Sequence, residues 1–305
     1  MNTDPTLLGA FVEVARTSSF GRAAEALHLD PSSVSRQIAQ LERRLGVRLF
    51  ERTTRQVWLT DAGATLLPDA EAVMDALDAF ARSASAVDRA NRGEVVVGFQ
   101  AHAINSEVLG WISDAAEGDD RHDPVAVRLQ EGSFADPSTG LRDRSTDLAI
   151  VFLPFDDTGI ESAPLFELPW LMFLPTGHPM ADRATVAIDS LLDEPWIPPA
   201  TEDRVFRDYW QAMDLRGDRP MPEAPDCATP EAGLALIATG RAIGSGASAR
   251  TPLHLDGVVA VPVSDDRRTT VALAWRSGPL ARPVARLRDV LLDRARRAPN
   301  PFPPA

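Results

Sequence analysis

No lysine occurs in the 305 residues; all 31 basic side chains are arginine, which reads as GC-rich codon usage more than as function. Cysteine occurs once, at Cys227. That excludes an internal disulfide and a cysteine-rich metal site. A single thiol reads as a small apolar packing residue rather than a redox sensor. No run approaches the roughly 18 consecutive apolar residues of a membrane-spanning helix. The opening MNTDPTLLGAF has no basic segment ahead of an apolar one, so no signal peptide is expected. The five histidines, His28, His102, His122, His178 and His254, fall into neither H-x-x-x-H nor H-x-x-E spacing. There is no G-x-S-x-G, P-loop or dinucleotide glycine fingerprint in a strand-to-helix setting, and Gly244-Ser245-Gly246 is too short to count. These absences point to a cytoplasmic protein that is not an enzyme and has no catalytic residues, metal or cofactor.

What is present suits compact structure. Hydrophobic residues make up 44% of the chain, enough for two or three cored units. The net charge of −13 argues at first against nucleic acid. Its distribution reverses that argument. Residues 31–60 hold six arginines, at 36, 43, 44, 48, 52 and 55, against Glu42 and Glu51, a local excess of four positive charges. Phosphate contact depends on such a patch rather than on the whole-chain sum.

The patch sits on two short helical patterns. The first runs from Gly21 to Leu27, with Ala23, Ala24 and Leu27 spaced to face a core, and His28-Leu29-Asp30 breaks it. Asp30 can cap a second helix whose first position is Pro31. In that helix Val34, Ile38, Leu41 and Leu45 make one buried stripe, and Gly46 ends it. Ser32, Ser33, Ser35, Arg36, Gln37 and Gln40 remain outward. In a helix–turn–helix, side chains of these kinds at the second helix's N-terminal end reach base edges in the major groove. An ordinary solvated helix face would carry the same residue types. A preceding helix is expected from Asp4-Pro5 to about Arg16, and Phe50 to Thr60 alternates as a hairpin with Thr53-Thr54-Arg55 near its tip.

From Ala23 to Gly63 the run AAEALHLDPSSVSRQIAQLERRLGVRLFERTTRQVWLTDAG resembles the DNA-binding segment of LysR-type transcriptional regulators. The matching features are the alanine pair, Ser35-Arg36-Gln37-Ile38, Leu41-Glu42, Leu45-Gly46, Leu49-Phe50 with Arg52, and Leu59-Thr60 with Ala62-Gly63. The resemblance implies a winged helix–turn–helix head over residues 1–60. Its DNA contacts are expected at Ser32, Ser33, Ser35, Arg36, Gln37, Arg43, Arg52, Thr53 and Arg55. Ser33, Ser35, Arg36 and Gln37 lie nearest bases, and Arg43, Arg52 and Arg55 hold phosphates.

Thr60 can cap a long helix over residues 61–90. Leu66, Ala70, Val73, Leu77, Phe80, Ala84 and Val87 alternate steps of four and three, a heptad seam that predicts pairing with another helix. Pro68 invites a kink or break near its start. The resemblance identifies this as a linker and dimerisation helix, and implies a homodimer or homotetramer on inverted-repeat promoter DNA.

After Asn91-Arg92-Gly93 strands alternate with helices, predicting an α/β domain over 91–300 with mostly parallel sheet. Strands are expected near 94–99, 125–129, 147–152, 160–166, 170–175, 196–198, 224–228, 242–247, 258–263 and 270–275. Helices are expected near 105–117, 136–144, 188–192, 203–213, 230–239 and 284–297. The resemblance implies two lobes of periplasmic-binding-protein type, lobe I about 91–158 and 264–300 and lobe II about 159–263. Their crossings are expected near Phe155–Gly159 and Pro262–Arg267. A small-molecule effector is expected between the lobes, at Gln100, His102, Ser133, Phe152, Thr201, Thr229 and Gly246, near strand ends where helix N-termini offer donors. Packing or capping is the plainer role for any one of them. His102 stands where the family usually places a small hydroxyl residue, and Gly246-Ala247-Ser248 where relatives often have an apolar run ending in proline. With Arg128 and Arg204, His102 leans towards a carboxylate effector. Implied partners are double-stranded promoter DNA, the effector, further copies of the chain and RNA polymerase, with no membrane. A pure solute-binding protein of the same two-lobed type is the competing reading, opposed by the DNA-binding head and the missing signal peptide.

Overall fold

The structure, a computed structural model, describes residues 4–52, 57–118, 124–225, 227, 230–248 and 256–298, with backbone only at 52, 230 and 231. Two compact units follow each other along the chain, Met1–Ala84 and Ser85–Ala305.

In the smaller unit local capping defines the helices. Asp4 accepts from the Thr6 N–H at 3.0 Å and opens α1, Pro5–Thr17. Ser19 caps α2, Phe20–Ala26, and Asp30 caps α3, Pro31–Leu45, which Gly46 ends at φ 73°, a left-handed conformation that costs glycine nothing. Leu7, Phe11, Val14, Ala23, Ala24, Val34, Ile38, Leu41, Leu49 and Phe50 form the buried core. The Phe50 ring meets Phe11 and Phe20 edge-on at 5.6 and 6.1 Å. The Glu42 carboxylate accepts from the Leu49 and Phe50 N–H groups at 2.8 and 3.3 Å, fixing the turn into the hairpin. There β1, Phe50–Arg52, pairs antiparallel with β2, Val57–Leu59. The expected hairpin tip, with Thr53 and Arg55, lies outside the described residues.

Thr60 accepts from the Gly63 N–H at 3.0 Å and opens α4, Asp61–Asn91. At Gly63 a Cβ would lie 2.2 Å from the Leu49 carbonyl oxygen, so this helix passes the core at a distance only glycine allows. The helix continues through Pro68 without a break. One proline removes one hydrogen bond, and the turns on either side keep theirs. Along the seam Ala70 is buried, while Val73, Leu77, Phe80 and Val87 are exposed, Phe80 by 74%.

In the larger unit the elements run β3 (Glu94–Gln100), α5 (Ser106–Glu117), β4 (Ala126–Gly132), β5 (Leu148–Leu153), β6 (Ile160–Pro169) and β7 (Leu171–Pro175). After them come α6 (Arg204–Trp210), α7 (Met213–Arg216), α8 (Pro230–Ala238), β8 (Gly244–Gly246), β9 (Val258–Pro262), β10 (Arg268–Arg276) and α9 (Arg282–Arg297). One sheet has the order β4-β3-β5-β10-β6, the other β8-β7-β9. Only β4-β3-β5 is parallel; β10 runs antiparallel to β5 and β6, and β7 antiparallel to both its neighbours. The first sheet is therefore mixed and the second antiparallel, and the expectation of mostly parallel pairing is corrected. The returning β10 arrives from the second sheet and enters the first from the opposite end.

Sheet membership also moves the first crossing. β6 stays hydrogen-bonded to β10 from Ile160 to Pro169, so the chain changes sheet at Trp170, a full strand later than Phe155–Gly159. It returns between Pro262 and Arg268. The two crossings are tied together: Trp170 N–H donates to the Arg267 carbonyl at 3.0 Å, and the Arg267 guanidinium lies 4.3 Å from the Trp170 ring centre. Its hydrogen bonds hold the Asp214 carboxyl below the usual carboxylate value.

Other differences have local causes. Residues 136–144 form successive turns, because the Asp136 carboxylate takes the Ser138 and Gly140 N–H groups at 3.0 and 2.7 Å in place of a helical ladder. The helix expected over 203–213 divides at Ala212, which is left-handed at φ 49°. Trp196 makes a single bridge to Ile243 rather than a strand, Ala224 and Pro225 are in none, and the rest of 224–228 is described only at Cys227. A 3-10 turn, Ile188–Leu191, stands where a helix is expected.

Asp147, at the entry to β5, is buried. It accepts from the Val96 N–H at 2.9 Å, with Arg89 at 3.5 Å and Arg276 at 3.9 Å. Burial pushes the Arg276 guanidinium below its ordinary value, and the Asp147 carboxylate opposes that.

Candidate DNA-facing surface and effector cleft

On α3 the inward stripe leaves one face outward. Ser32 and Ser33 both donate their hydroxyls to the Asp30 carboxylate, and Ser33 N–H adds a third bond at 2.9 Å. Those hydroxyls, then that N–H, hold the Asp30 carboxyl well below the usual range. Arg36 is exposed; its Nη2 donates to Ser33 Oγ at 2.9 Å and its Nε to the Ser32 carbonyl at 3.4 Å. A guanidinium is thereby laid along the first turn of α3 beside two serines. Arg43 is exposed at the far end, while Ser35 and Gln37 are half-buried. Gln37 Oε1 is buried and has no hydrogen-bond partner. Arg52's side chain, Thr53 and Arg55 lie outside the described residues.

In the larger unit a cavity of about 200 Å³ lies between the two sheets' lobes. Four expected residues line it: His102, Ser133, Phe152 and Gly246. His102 is held at φ 67° in the turn after β3. Ser133 Oγ accepts from the Ala135 N–H at 3.1 Å, so its own proton is left to donate.

Three expected residues do not line it. Gln100 is fully buried outside the lining; its Oε1 accepts from the Phe152 N–H at 2.6 Å, so it holds the wall in place. Thr201 donates instead to the Ala135 carbonyl at 3.0 Å and ties the lobes together. Thr229 lies outside the described residues. Arg128 and Arg204 are exposed and outside the lining, and Arg204 pairs with Asp208 at 3.2 Å. The lean towards a carboxylate loses both its cations.

Much of the wall was not anticipated. Phe173, Phe206, Trp210 and Ile197 all line the cavity. Across the lobes Phe134 lies 6.5 Å from Phe206, and Phe152 meets Trp210 edge-on at 5.8 Å. The aromatic run Phe206-Arg207-Asp208-Tyr209-Trp210 was the available signal, since such a cluster on a short helix seeks an apolar partner. Tyr209 turns the other way. Its hydroxyl donates to the Arg268 carbonyl at 2.9 Å beside the second crossing, and burial pushes its pKa above the ordinary tyrosine value.

A head with an outward α3 face and a two-lobed domain with a cavity at its lobe junction define a DNA-binding transcriptional regulator modulated by a small-molecule effector. The chain belongs to the LysR family. Residues 5–64 match the bacterial regulatory helix-turn-helix protein, lysR family, and residues 88–296 match the LysR substrate binding domain. It is similar to a probable hydrogen peroxide-inducible genes activator of Mycobacterium xenopi, 35% identical over 187 residues covering 60% of this chain and 96% of that one. The protein of the same description in Mycobacterium avium is 34% identical over 213 residues, covering 69% of this chain and 67% of that one. The crystal structure of CbnR, a LysR family transcriptional regulator, shares the fold with TM-score 0.62 at 20% identity, covering 96% of this chain and 99% of that one. No described helix is long and apolar enough to cross a membrane.

Proposed function

We propose that the chain is a cytoplasmic regulator without catalytic activity that reads inverted-repeat promoter DNA as a homo-oligomer. The observation carrying this reading is the first turn of α3, where Ser32, Ser33 and Arg36 stand outward while Val34, Ile38 and Leu41 fill the core. Arg36 exchanges its Ser33 contact for a guanine edge, and exposed Arg43 meets phosphate. The seam from Val73 to Val87, exposed in a single chain, supports a second copy of α4 as its cover. A two-fold pair of heads suits an inverted repeat, and RNA polymerase is the partner a promoter-bound regulator would meet.

The domain division that fits is a head to about residue 60, a linker helix to about 90 and an effector domain beyond, its second lobe entered at Trp170. His102, Ser133, Phe152 and Gly246 are the residues proposed to touch the effector. Effector binding acts on DNA affinity only through a difference between two states of the lobes. The mycobacterial relatives are named for induction by hydrogen peroxide. With Cys227 the sole cysteine of these 305 residues, a disulfide within the chain is not available to carry that response here.

The test is selection of fragmented genomic DNA by the purified full-length protein at moderate salt, followed by titration of the enriched site. Enriched fragments should share an inverted repeat. Arg36→Ala should weaken operator binding by about 1–3 kcal/mol while random-sequence binding changes little. Equal losses on both would remove Arg36 as a base reader, and salt-sensitive retention with no shared site would sink the regulator reading.

A further inference from the structure

Resting on the cleft being the effector site, we propose that its ligand is an uncharged, flat ring compound, and that Phe173, laid across Gly246, sets the size it accepts. Chemistry of the wall comes first. Among the described lining residues no side chain carries a fixed charge, and Phe134, Phe152, Phe173, Phe206 and Trp210 supply aromatic surface. A carboxylate placed there would lose its hydration without a cation among the described lining residues to replace it. An uncharged ring instead exchanges water for the faces and edges of five aromatic side chains.

The polar capacity is small and lies at one end. Ser245 already donates its hydroxyl to the Trp210 carbonyl. Ser133 keeps a proton to donate, and His102 stands with it on the first lobe's side. The ligand is thus a ring with one small hydrogen-bonding group, lying with that group towards Ser133 and His102.

The floor is unusual. β8 is Gly-Ser-Gly, and β7 pairs with it so that Phe173 stands opposite Gly244. A Cβ on Gly246 would lie 2.5 Å from the Phe173 ring, and one on Gly244 would lie 2.9 Å from Ile237. The side chain missing at 246 is the space in which the Phe173 ring lies, while Ile237 takes the space at 244. Any side chain at 246 drives that ring towards the cavity, whose volume of about 200 Å³ has room for a ligand of about two fused rings.

The experiment is calorimetric titration of the full-length protein at neutral pH with 1-naphthol and with 1-naphthoate, rings of one size that differ in charge. The naphthol should bind about ten-fold more tightly than the naphthoate, or better. Gly246→Ala should weaken naphthol binding about ten-fold, and Phe173→Leu added to it should restore most of the loss. Should Gly246→Ala fail to fold, Phe173→Leu alone should shift preference towards the three-ring 9-anthracenemethanol. Tighter binding of the naphthoate overturns the uncharged class while leaving the cleft as the site. Naphthol binding that ignores both substitutions puts the ligand elsewhere and overturns the cleft reading as well. No saturable naphthol binding overturns the ligand class.

Discussion

The two units bury different things. Among the described residues every buried polar side chain lies in the larger unit: Gln100, Asp147, Thr201, Arg216 and Thr269 are examples, and the head has none. The head's fully buried side chains are all aliphatic or aromatic among the described residues, and polar groups such as Asp30 and Glu42 serve a cap and a turn. Such a core suits a unit that only has to hold α3 outward. The larger unit places hydrogen bonds where chain segments distant in sequence must meet. Gln100 fixes Phe152, Thr201 spans the lobes, and Thr269 donates to the Leu153 carbonyl at 2.9 Å. Directional bonds specify one arrangement among several close-packed ones, which apolar contact alone does poorly. The difference separates a part built to present a surface from a part built to define a closure.

The sharpest break of this comparison is Phe11→Ala. It removes a fully buried ring that touches Phe50, and should cost the head about 3–5 kcal/mol. Scanning calorimetry should show the head's transition collapse and DNA retention disappear with it, while the larger unit melts as before. Equal movement of both transitions would show that the units do not fold separately. Next in size is Asp147→Ala, which strands Arg89, Arg276 and the Val96 N–H together. Denaturant titration should register a loss of about 3 kcal/mol confined to the larger unit. Asp147→Asn keeps an acceptor for Val96 and should lose less, which separates hydrogen bond from charge. If the two variants cost the same, the charge is the whole of it.

What the sequence makes legible follows the range of the forces involved. Asp30-Pro31 and Gly46 bracket α3 because caps act within one turn, and the stripe Val34, Ile38 and Leu41 is periodic. The central strands β3 and β5 of the first sheet carry near-continuous apolar runs, Val95–Val97 and Leu148–Leu153, readable without a partner. Two kinds of failure stand out, where a side chain competes with the backbone and where a partner lies far along the chain. Asp136 turns residues expected to be helical, and Glu42 reads as surface charge although it holds the hairpin's entry. β6 reads as the start of a second lobe, yet its partner is β10, about a hundred residues away, and no local pattern announces that pairing. The cleft divides the same way. Turn positions after strands pick out His102, Ser133 and Phe152, whereas Phe173 is found only once β7 is laid beside the glycines of β8.

Thr201 is the smallest perturbation and bears most directly on how the cleft works. Its hydroxyl reaches the Ala135 carbonyl, so one bond joins the segment before α6 to the loop after β4. Valine has nearly the same shape and no donor. Thr201→Val therefore leaves packing in place while the Ala135 carbonyl loses its donor and the Asp203 N–H, 3.1 Å from that hydroxyl, loses its acceptor, at a cost of about 1 kcal/mol. Unfolding barely registers a change of that size spread over a unit of two hundred residues, but a closing equilibrium does. If ligand binds only the arrangement in which both lobes line the cavity, apparent affinity scales with the fraction of molecules so arranged. Titration with 1-naphthol should then show affinity falling about five-fold at unchanged stoichiometry. Unchanged affinity would mean that the other contacts across the lobes, Phe134 with Phe206, Phe152 with Trp210 and the Asp156 N–H with Asp203, hold them without the Thr201 bond. Closure would then rest on no single directed bond at Thr201, and the contrast between the two units would narrow at the cleft.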